Sequence, residues 1–211
     1  LCLDVLGTMP GGWHEMKMVM QSCSLCDDIR IELGGDDITV KTNLHFLPRD
    51  ERNIAYRAAK RLFEAAGMPG AGALIPLQKR IPVGAGLGGG STDGAAVLRG
   101  RRDLTGAALS DAALEALGAE LGSDVPFCVC GGTRLAVGRG DRFLDAPAMP
   151  DCGIVICKPR FSIRTPDLFA KIDSRRSRIR PDTDGLMAAM AAGDLRGMAQ
   201  RMYNVFEDVL P

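Results

Sequence analysis

Between Pro82 and Thr92 the chain reads PVGAGLGGGST, with glycine at 84, 86, 88, 89 and 90 and an apolar run, Ala95-Ala96-Val97-Leu98, close behind. Glycine loses more backbone freedom on folding than any other residue, so this density needs a physical reason. Access supplies one: without Cβ atoms, backbone N–H groups can close around a bulky anion. A helix opening near Ser91 and Thr92 would add unpaired amides and the positive end of its dipole. The stretch therefore reads as a phosphate cradle, with a nucleotide as the natural ligand. A flexible surface loop is the plainer alternative, but solvated linkers favour polar residues over Leu87 and the run that follows it.

The elements that must hold this loop can be read on either side of it. Residues 1–7 alternate as a strand ended by Gly7 and Pro10; MPGGWHE (9–15) reads as a turn, and MKMVMQS as a second strand. IRIEL (29–33) and ITVKT (38–42) flank Gly34-Gly35-Asp36-Asp37 as a hairpin. Apolar positions from Asn53 to Gly67 recur at helical spacing, with Asp50 or Asn53 as cap and Gly67 and Pro69 as stop. A strand at about 72–80 leads into the glycines and a helix at about 92–103 leaves them. A further helix over 110–121 starts at Ser110 and ends at Gly122. Short strands are expected near 127–130, 133–138 and 153–158, and helices near 165–172, 184–192 and 194–208. Strands, then helices, then strands again point to α+β packing. Ala146-Pro147-Ala148-Met149-Pro150 marks a boundary, giving domains 1–148 and 149–211.

Composition narrows the partners. The 211 residues carry 26 basic and 26 acidic side chains and a formal net charge of zero, which favours neither nucleic acid nor an acidic membrane surface. Arg175, Arg176, Arg178 and Arg180 form a local basic cluster that reads as a solvated loop. Seven cysteines show no disulfide-scaffold spacing. Cys23 and Cys26 form one CxxC, Cys128 and Cys130 are spaced for one strand face, and buried small hydrophobes are the default reading. No secretory signal and no apolar run near twenty residues is present, so the expected location is a bacterial cytoplasm.

Three phosphate-loop chemistries compete for 82–92. A P-loop requires a lysine after its glycines, and none follows here. Gly84, Gly86 and Gly89 match a dinucleotide fingerprint, with Asp103 at a suitable distance. However, polar Lys79-Arg80 and Pro82 lead in where an apolar strand belongs, and Asp103 falls in a helical, arginine-rich stretch. The oxidoreductase reading is correspondingly weak. The third candidate matches residue by residue: PVGAGLGGGSTDGAA resembles the ATP loop of the GHMP kinases, the family of galactokinase, homoserine kinase and mevalonate kinase. LDVLGTMPGGWHEMKMVMQS, LPRDERNIAYRAAKRLF, GSDVPF with GGTRLAVGRGD, and SIRTPDLF resemble, in order, segments of the branch acting on a cytidine-diphosphate-linked methylerythritol.

That resemblance implies an α+β, two-domain GHMP kinase fold. Its N-terminal domain would be like ribosomal protein S5 domain 2, and its C-terminal domain ferredoxin-like and incomplete here. It implies transfer of the γ-phosphoryl of ATP, with Mg²⁺, to the 2-hydroxyl of that small-molecule substrate in non-mevalonate isoprenoid synthesis. Pro82, Val83, Gly84, Ala85, Gly86, Leu87, Gly88, Gly89, Gly90, Ser91 and Thr92 would hold the triphosphate, with Asn53 and Lys79 near the adenosine. Asp124 matches the catalytic aspartate; just past a helix-stopping glycine and ahead of Pro126, it is placed to act as general base. Trp13 and His14 match a tyrosine–histidine pair around the cytosine, with Thr165 and Phe169 on the far side of the pocket. Tryptophan keeps the stacking face and replaces a hydroxyl by an indole N–H.

Leu1 aligns with the last residue of the family's A-K-[IL]-N-L opening, and the third glycine-rich motif would follow Asp208. A product lacking both segments is expected to have little activity. Another GHMP kinase, of homoserine or mevalonate type, or an inactive nucleotide-binding fragment are the alternatives. Metal ligands and oligomeric state are left open.

Overall fold

The computed structural model describes residues 1–105, 109–158, 165–174 and 179–210. They gather into two compact units, one formed by Leu1–Ser22 with Gly131–Pro211, the other by Cys23–Cys130.

The first unit is built on a hairpin. Strands β1 (Cys2–Met9) and β2 (Trp13–Gln21) pair antiparallel across a tight turn at Gly11 and Gly12, both with positive φ. The turn is shorter than the sequence reading of 9–15, because Trp13 and His14 are already strand residues opposite Met9 and Thr8. After the second unit, Thr133–Gly138 and Arg142–Asp145 extend the sheet beyond β2; they are β7 and β8, numbered after the second unit's β3 to β6. Tyr203–Asn204 (β9) adds a short parallel strand beside β1, giving the order β8-β7-β2-β1-β9.

Alternation along the strands divides the unit into two cores. Cys2, Val19 and Leu135 pack with Leu186, Ala189, Met190 and Met198, which come from helices Thr183–Ala191 and Leu195–Arg201. Val5 packs with Ile172, Phe206 and Val209, from helix Thr165–Asp173 and the 3₁₀ turn Val205–Val209. The expected helix over 194–208 is therefore broken at Met202, where the chain turns extended to pair with β1. Residues 152–158 form no strand: among the described residues no neighbour pairs with them, and Val155 is 96% exposed. The boundary at 148/149 falls within this unit, in the segment 146–158 that forms neither helix nor strand.

In the second unit Ala73–Gln78 (β6) is the central strand. Asp28–Ile29 (β3) and Glu32–Leu33 (β4) run antiparallel along one edge as a single interrupted strand; Ile38–Thr42 (β5) runs parallel along the other. The expected hairpin is thus open, with β6 inserted between its arms. Gly34–Asp37 crosses the end of β6, bonding Gly34 N to Gly72 O and Ala73 N to Asp37 O. A Cβ on Gly72 would lie 2.6 Å from the Asp37 carbonyl, so this crossing requires glycine.

Helices cover the sheet around a core that includes Val40, Leu62, Ile75, Leu98, Leu114 and Val125. Helix α1 (Ile54–Ala65) is capped by Asn53, whose Oδ1 accepts from Ala55 N, and closes at Gly67 in the left-handed conformation. Helices α2 (Gly89–Thr105) and α3 (Asp111–Leu121, capped by Ser110) follow. Val125–Cys130 is a short helix, α4, where the sequence pointed to a strand. Four apolar residues are too few to distinguish the two periods. Among the described residues no helix is long and apolar enough to cross a membrane.

Candidate functional site

Within the second unit the glycine stretch leaves β6 through Lys79–Ile81 and runs straight into α2. Gly84, Gly86 and Gly88 all take positive φ, which side-chain-bearing residues rarely adopt, so the loop's winding is encoded by these glycines. The helix opens about three residues earlier than the expected start at 92, at Gly89. Thr92 N is bonded to Gly88 O at 2.8 Å, and the amides of Gly89, Gly90 and Ser91 are left as first-turn donors without an intrahelical acceptor. The Thr92 hydroxyl donates to Gly89 O at 2.9 Å, which leaves its oxygen lone pairs open. Gly89 is also a close-packing position, since a Cβ there would lie 2.9 Å from Ile81 Cγ2. Of the remaining loop positions, Pro82 and Val83 are exposed, and Ala85 and Leu87 half-buried.

Lys79 and Asn53 take up positions the sequence did not foresee. The Lys79 ammonium is 4% exposed, bonded to Asp27, to Asp93 at 2.7 Å and to Gly89 O at 3.2 Å. All three of its hydrogens are engaged, so any influence on an adenosine runs through the groups it holds. Asn53 gives its Oδ1 to the α1 cap and donates from Nδ2 to Pro48 O at 2.8 Å.

Asp27 and Asp93 escaped the sequence reading. Asp27 accepts from Lys79 and from the amides of Arg80 and Ile81. Burial works to raise its pKa, but these hydrogen bonds outweigh it and hold the carboxyl below its ordinary range. Asp93 lies the other way. Burial, with a smaller push from Asp27, takes its carboxyl up to about 7 against the pull of Lys79. Its Oδ1 is buried and has no hydrogen-bond partner among the described residues. An aspartate just behind a glycine loop, and a lysine in the strand before it, were the available signals.

Asp124 occupies the turn between α3 and α4. Its backbone carbonyl accepts from Cys128 N at 3.1 Å, which starts α4, while its side chain is exposed and takes no hydrogen bond among the described residues. Desolvation by the surrounding protein nevertheless raises its pKa. Together with burial it pushes the Cys128 thiol up to about 12, so that cysteine is no ready thiolate. Cys23, Cys26, Cys152 and Cys157 are exposed, correcting their reading as buried hydrophobes.

The first unit carries the aromatic residues singled out for the cytosine, with His14. Neighbours on a strand point to opposite faces, and Trp13 and His14 do so. His14 stacks on Phe169 with centroids 4.3 Å apart, its Nε2 bonded to Asp173 Oδ1 at 2.8 Å. Phe169 in turn meets Phe206 edge-on at 5.1 Å. Trp13, 53% exposed, lies under the Arg139 guanidinium at 4.9 Å, and Arg139 is fixed by Asp141. The structure thus brings His14 and Phe169 together and turns Trp13 away from them. Thr165 begins the helix that carries Phe169; its side chain, like Arg175, Arg176 and Arg178, lies outside the described residues. Arg180 binds Asp4 Oδ1 and Val5 O, each at 2.6 Å.

Residues 53–132, which include the glycine loop and the helix it opens into, match the description "GHMP kinases N terminal domain". A 4-diphosphocytidyl-2-C-methyl-D-erythritol kinase of Bacillus cereus (strain AH187) is 41% identical over 210 residues, covering 99% of this chain and 72% of the relative. The crystal structure of a 4-(cytidine 5'-diphospho)-2C-methyl-D-erythritol kinase, 32% identical, matches 98% of this chain and 72% of its own with a TM-score of 0.75. A homoserine kinase from Cytophaga hutchinsonii, at 21% identity and a TM-score of 0.62, covers 84% of this chain and 62% of its own and shares the fold. The chain belongs to the 4-diphosphocytidyl-2-C-methyl-D-erythritol kinases, a branch of the GHMP kinases.

Proposed function

We propose that the chain carries out ATP-dependent phosphorylation of the 2-hydroxyl of 4-(cytidine 5'-diphospho)-2-C-methyl-D-erythritol. The observation that supports this most is the loop-to-helix junction, where Gly84, Gly86 and Gly88 wind the backbone and Gly89, Gly90 and Ser91 present amides with no intrahelical acceptor. A triphosphate has acceptor oxygens and negative charge to match those amides and the positive end of α2, a helix of 17 residues. ATP supplies the transferable γ-phosphoryl group. Because phosphoryl transfer requires little covalent chemistry from protein, catalysis rests on positioning and charge stabilisation, and the loop is the positioning device.

Asp124 takes the proton of the substrate hydroxyl. Its exposed carboxyl can reach solvent-borne groups, and the desolvation that raises its pKa makes it a better base than an ordinary aspartate. His14 and Phe169 bind the cytosine. Asp173 fixes the orientation of the imidazole, and Trp13 offers a second stacking face beside Arg139. Asn53 and Lys79 act on the adenosine side through the backbone they hold.

Among the described residues, no three His, Cys, Asp or Glu side chains form a cation cage. Mg²⁺ that arrives with a nucleotide takes most of its ligands from phosphate and water, and the Ser91 and Thr92 hydroxyls are oxygen donors of the kind it accepts.

The test is turnover of the cytidyl substrate, followed by ³¹P NMR, beside ATP titration of the wild type and Asp124→Asn. The variant is expected to bind ATP within about twofold of wild type and to lose at least about 100-fold in turnover. Equal turnover would remove Asp124 from the mechanism. Phosphorylation of homoserine or mevalonate in preference to the cytidyl substrate would overturn the substrate assignment.

A further inference from the structure

Three charged side chains lie beneath the glycine loop, with side-chain exposures of 4% for Lys79, 3% for Asp27 and 6% for Asp93. Burying ions is costly, and a buried pair is weak support for stability, so a cluster of three calls for a more specific reason. Their partners supply it. Asp27 Oδ1 accepts the amides of Arg80 and Ile81, the last two residues before Pro82, and Lys79 holds its Oδ2. Lys79 reaches across to Gly89 O, at the first residue of α2, and to Asp93 Oδ2, one turn further along the helix. The cluster therefore touches the chain immediately before the loop and immediately after it. Arg80 is turned outward to Asp28, so the ionisable groups facing one another inside are these three alone among the described residues.

We propose that Asp27 and Asp93 are positioning residues for the glycine loop, acting through Lys79: Asp27 fixes the chain where it enters, Asp93 fixes it where it leaves, and the ammonium joins the two ends. The importance of the device for catalysis rests on the reading of 82–92 as a triphosphate cradle; the mechanical claim does not. A loop wound from glycines has the most conformational freedom to lose, and clamping its ends lowers the ordering cost of binding. With both carboxylates ionised the cluster carries one net negative charge, and Asp93 Oδ1 has no hydrogen-bond partner among the described residues to relieve it. Asp93 is the group that takes up a proton to remove that charge. Its elevated pKa means that the clamped state binds the proton more tightly than an opened first turn would. Raising the pH toward 7 therefore loosens the clamp, and above that point the effect levels off.

Two measurements test this on the chain. The first is amide hydrogen exchange, corrected for intrinsic rates, in wild type, Lys79→Met, Asp27→Asn and the near-isosteric Asp93→Asn. Exchange at the bonded amides of Arg80, Ile81 and Thr92 should rise at least about tenfold in Lys79→Met and Asp27→Asn, with residues 111–121 within about twofold of wild type. In wild type, protection of the Thr92 amide, bonded to Gly88 O, should fall several-fold from pH 5.5 to 7.5, and Asp93→Asn should abolish that dependence. Should Lys79→Met fail to fold, Asp27→Asn and the pH profile of Asp93→Asn decide the matter. Unchanged protection at Arg80, Ile81 and Thr92, or a pH dependence that survives in Asp93→Asn, overturns the proposal.

The second measurement is calorimetric titration with MgATP, where Lys79→Met and Asp27→Asn should weaken binding about tenfold. Affinity unchanged in both overturns the positioning role. If wild type itself binds no ATP, the triphosphate reading falls while the exchange data still decide whether the clamp exists.

Discussion

The imidazole of His14 lies against the ring of Phe169, centroids 4.3 Å apart and planes inclined by 24°. The contact joins the second strand of the sheet to a helix from far along the chain, and Asp173 on that helix pins the same imidazole from its edge. Phe169 rests on Phe206, so the stack is anchored in the core on that face of the sheet. Removing Phe169 should be felt as a packing loss first. Phe169→Ala is expected to lower the free energy of unfolding by about 1–3 kcal/mol, below the usual range for a fully buried phenylalanine because this ring is half-buried. Urea denaturation measures it. Asp173→Ala should leave stability nearly unchanged and alter the imidazole ¹⁵N shifts of His14.

Asn53 serves two masters, capping α1 and holding the Pro48 carbonyl. Asn53→Ala leaves Ala55 N and Pro48 O without these partners and should cost about 1–2 kcal/mol. Asn53→Asp restores the cap but not the donor, and should fall between the two in thermal denaturation.

Gly94 lets α2 pass close to α1. A Cβ there would lie 2.6 Å from Ile54 Cγ2, well inside contact distance. Gly94→Ala should destabilise by about 1–3 kcal/mol through overpacking. Trimming the obstacle with Ile54→Ala in the same chain should recover part of that loss. A double-mutant cycle should return a coupling of at least about 0.5 kcal/mol.

Asp93 gives the fold a measurable pH signature. Its carboxyl is raised to about 7 in the folded chain, against 3.8 for a free aspartate side chain, so between about pH 4 and 7 the folded state holds a proton that the unfolded chain has released. Its contribution to stability is greatest at the acid end of this window, falls as pH rises through it, and is constant above. The slope from one such group is at most about 1.4 kcal/mol per pH unit. Asp27, held low, contributes in the opposite sense and is lost only as pH falls through its own lower range. The difference in unfolding free energy between wild type and Asp93→Asn should decline from pH 4 to 7 and then level off; a flat difference would contradict the assignment.

Local signals were legible in the sequence, and long-range ones were not. Helices α1 and α3 start at Asn53 and Ser110 because a side-chain oxygen there replaces a missing backbone acceptor, a requirement visible in residue type alone. The glycine loop was visible for the same reason. The strands at 28–33 and 38–42 alternate correctly and flank a turn, yet β6 separates them, because nothing in either segment records which third strand will supply its hydrogen bonds. Within the candidate site, His14, Phe169 and Asp124 stood out by resemblance to known kinases. Asp27 did not, since its burial against Lys79 comes from tertiary packing and leaves no pattern along the chain.

The first unit is discontinuous: β2 ends at Gln21, and its other sheet neighbour, β7, begins at Thr133, with Ser22 N bonded to Gly132 O where the two segments meet. On a ribosome, the β1–β2 ribbon must therefore wait while the intervening stretch is made, for roughly 5–20 s at ordinary elongation rates. During that interval Val19 has no Leu135 to cover it, whereas the second unit is a contiguous run of chain and can complete its own core. Synthesis thus orders assembly from the inserted unit outward, and the nascent ribbon is the species with most reason to meet a chaperone.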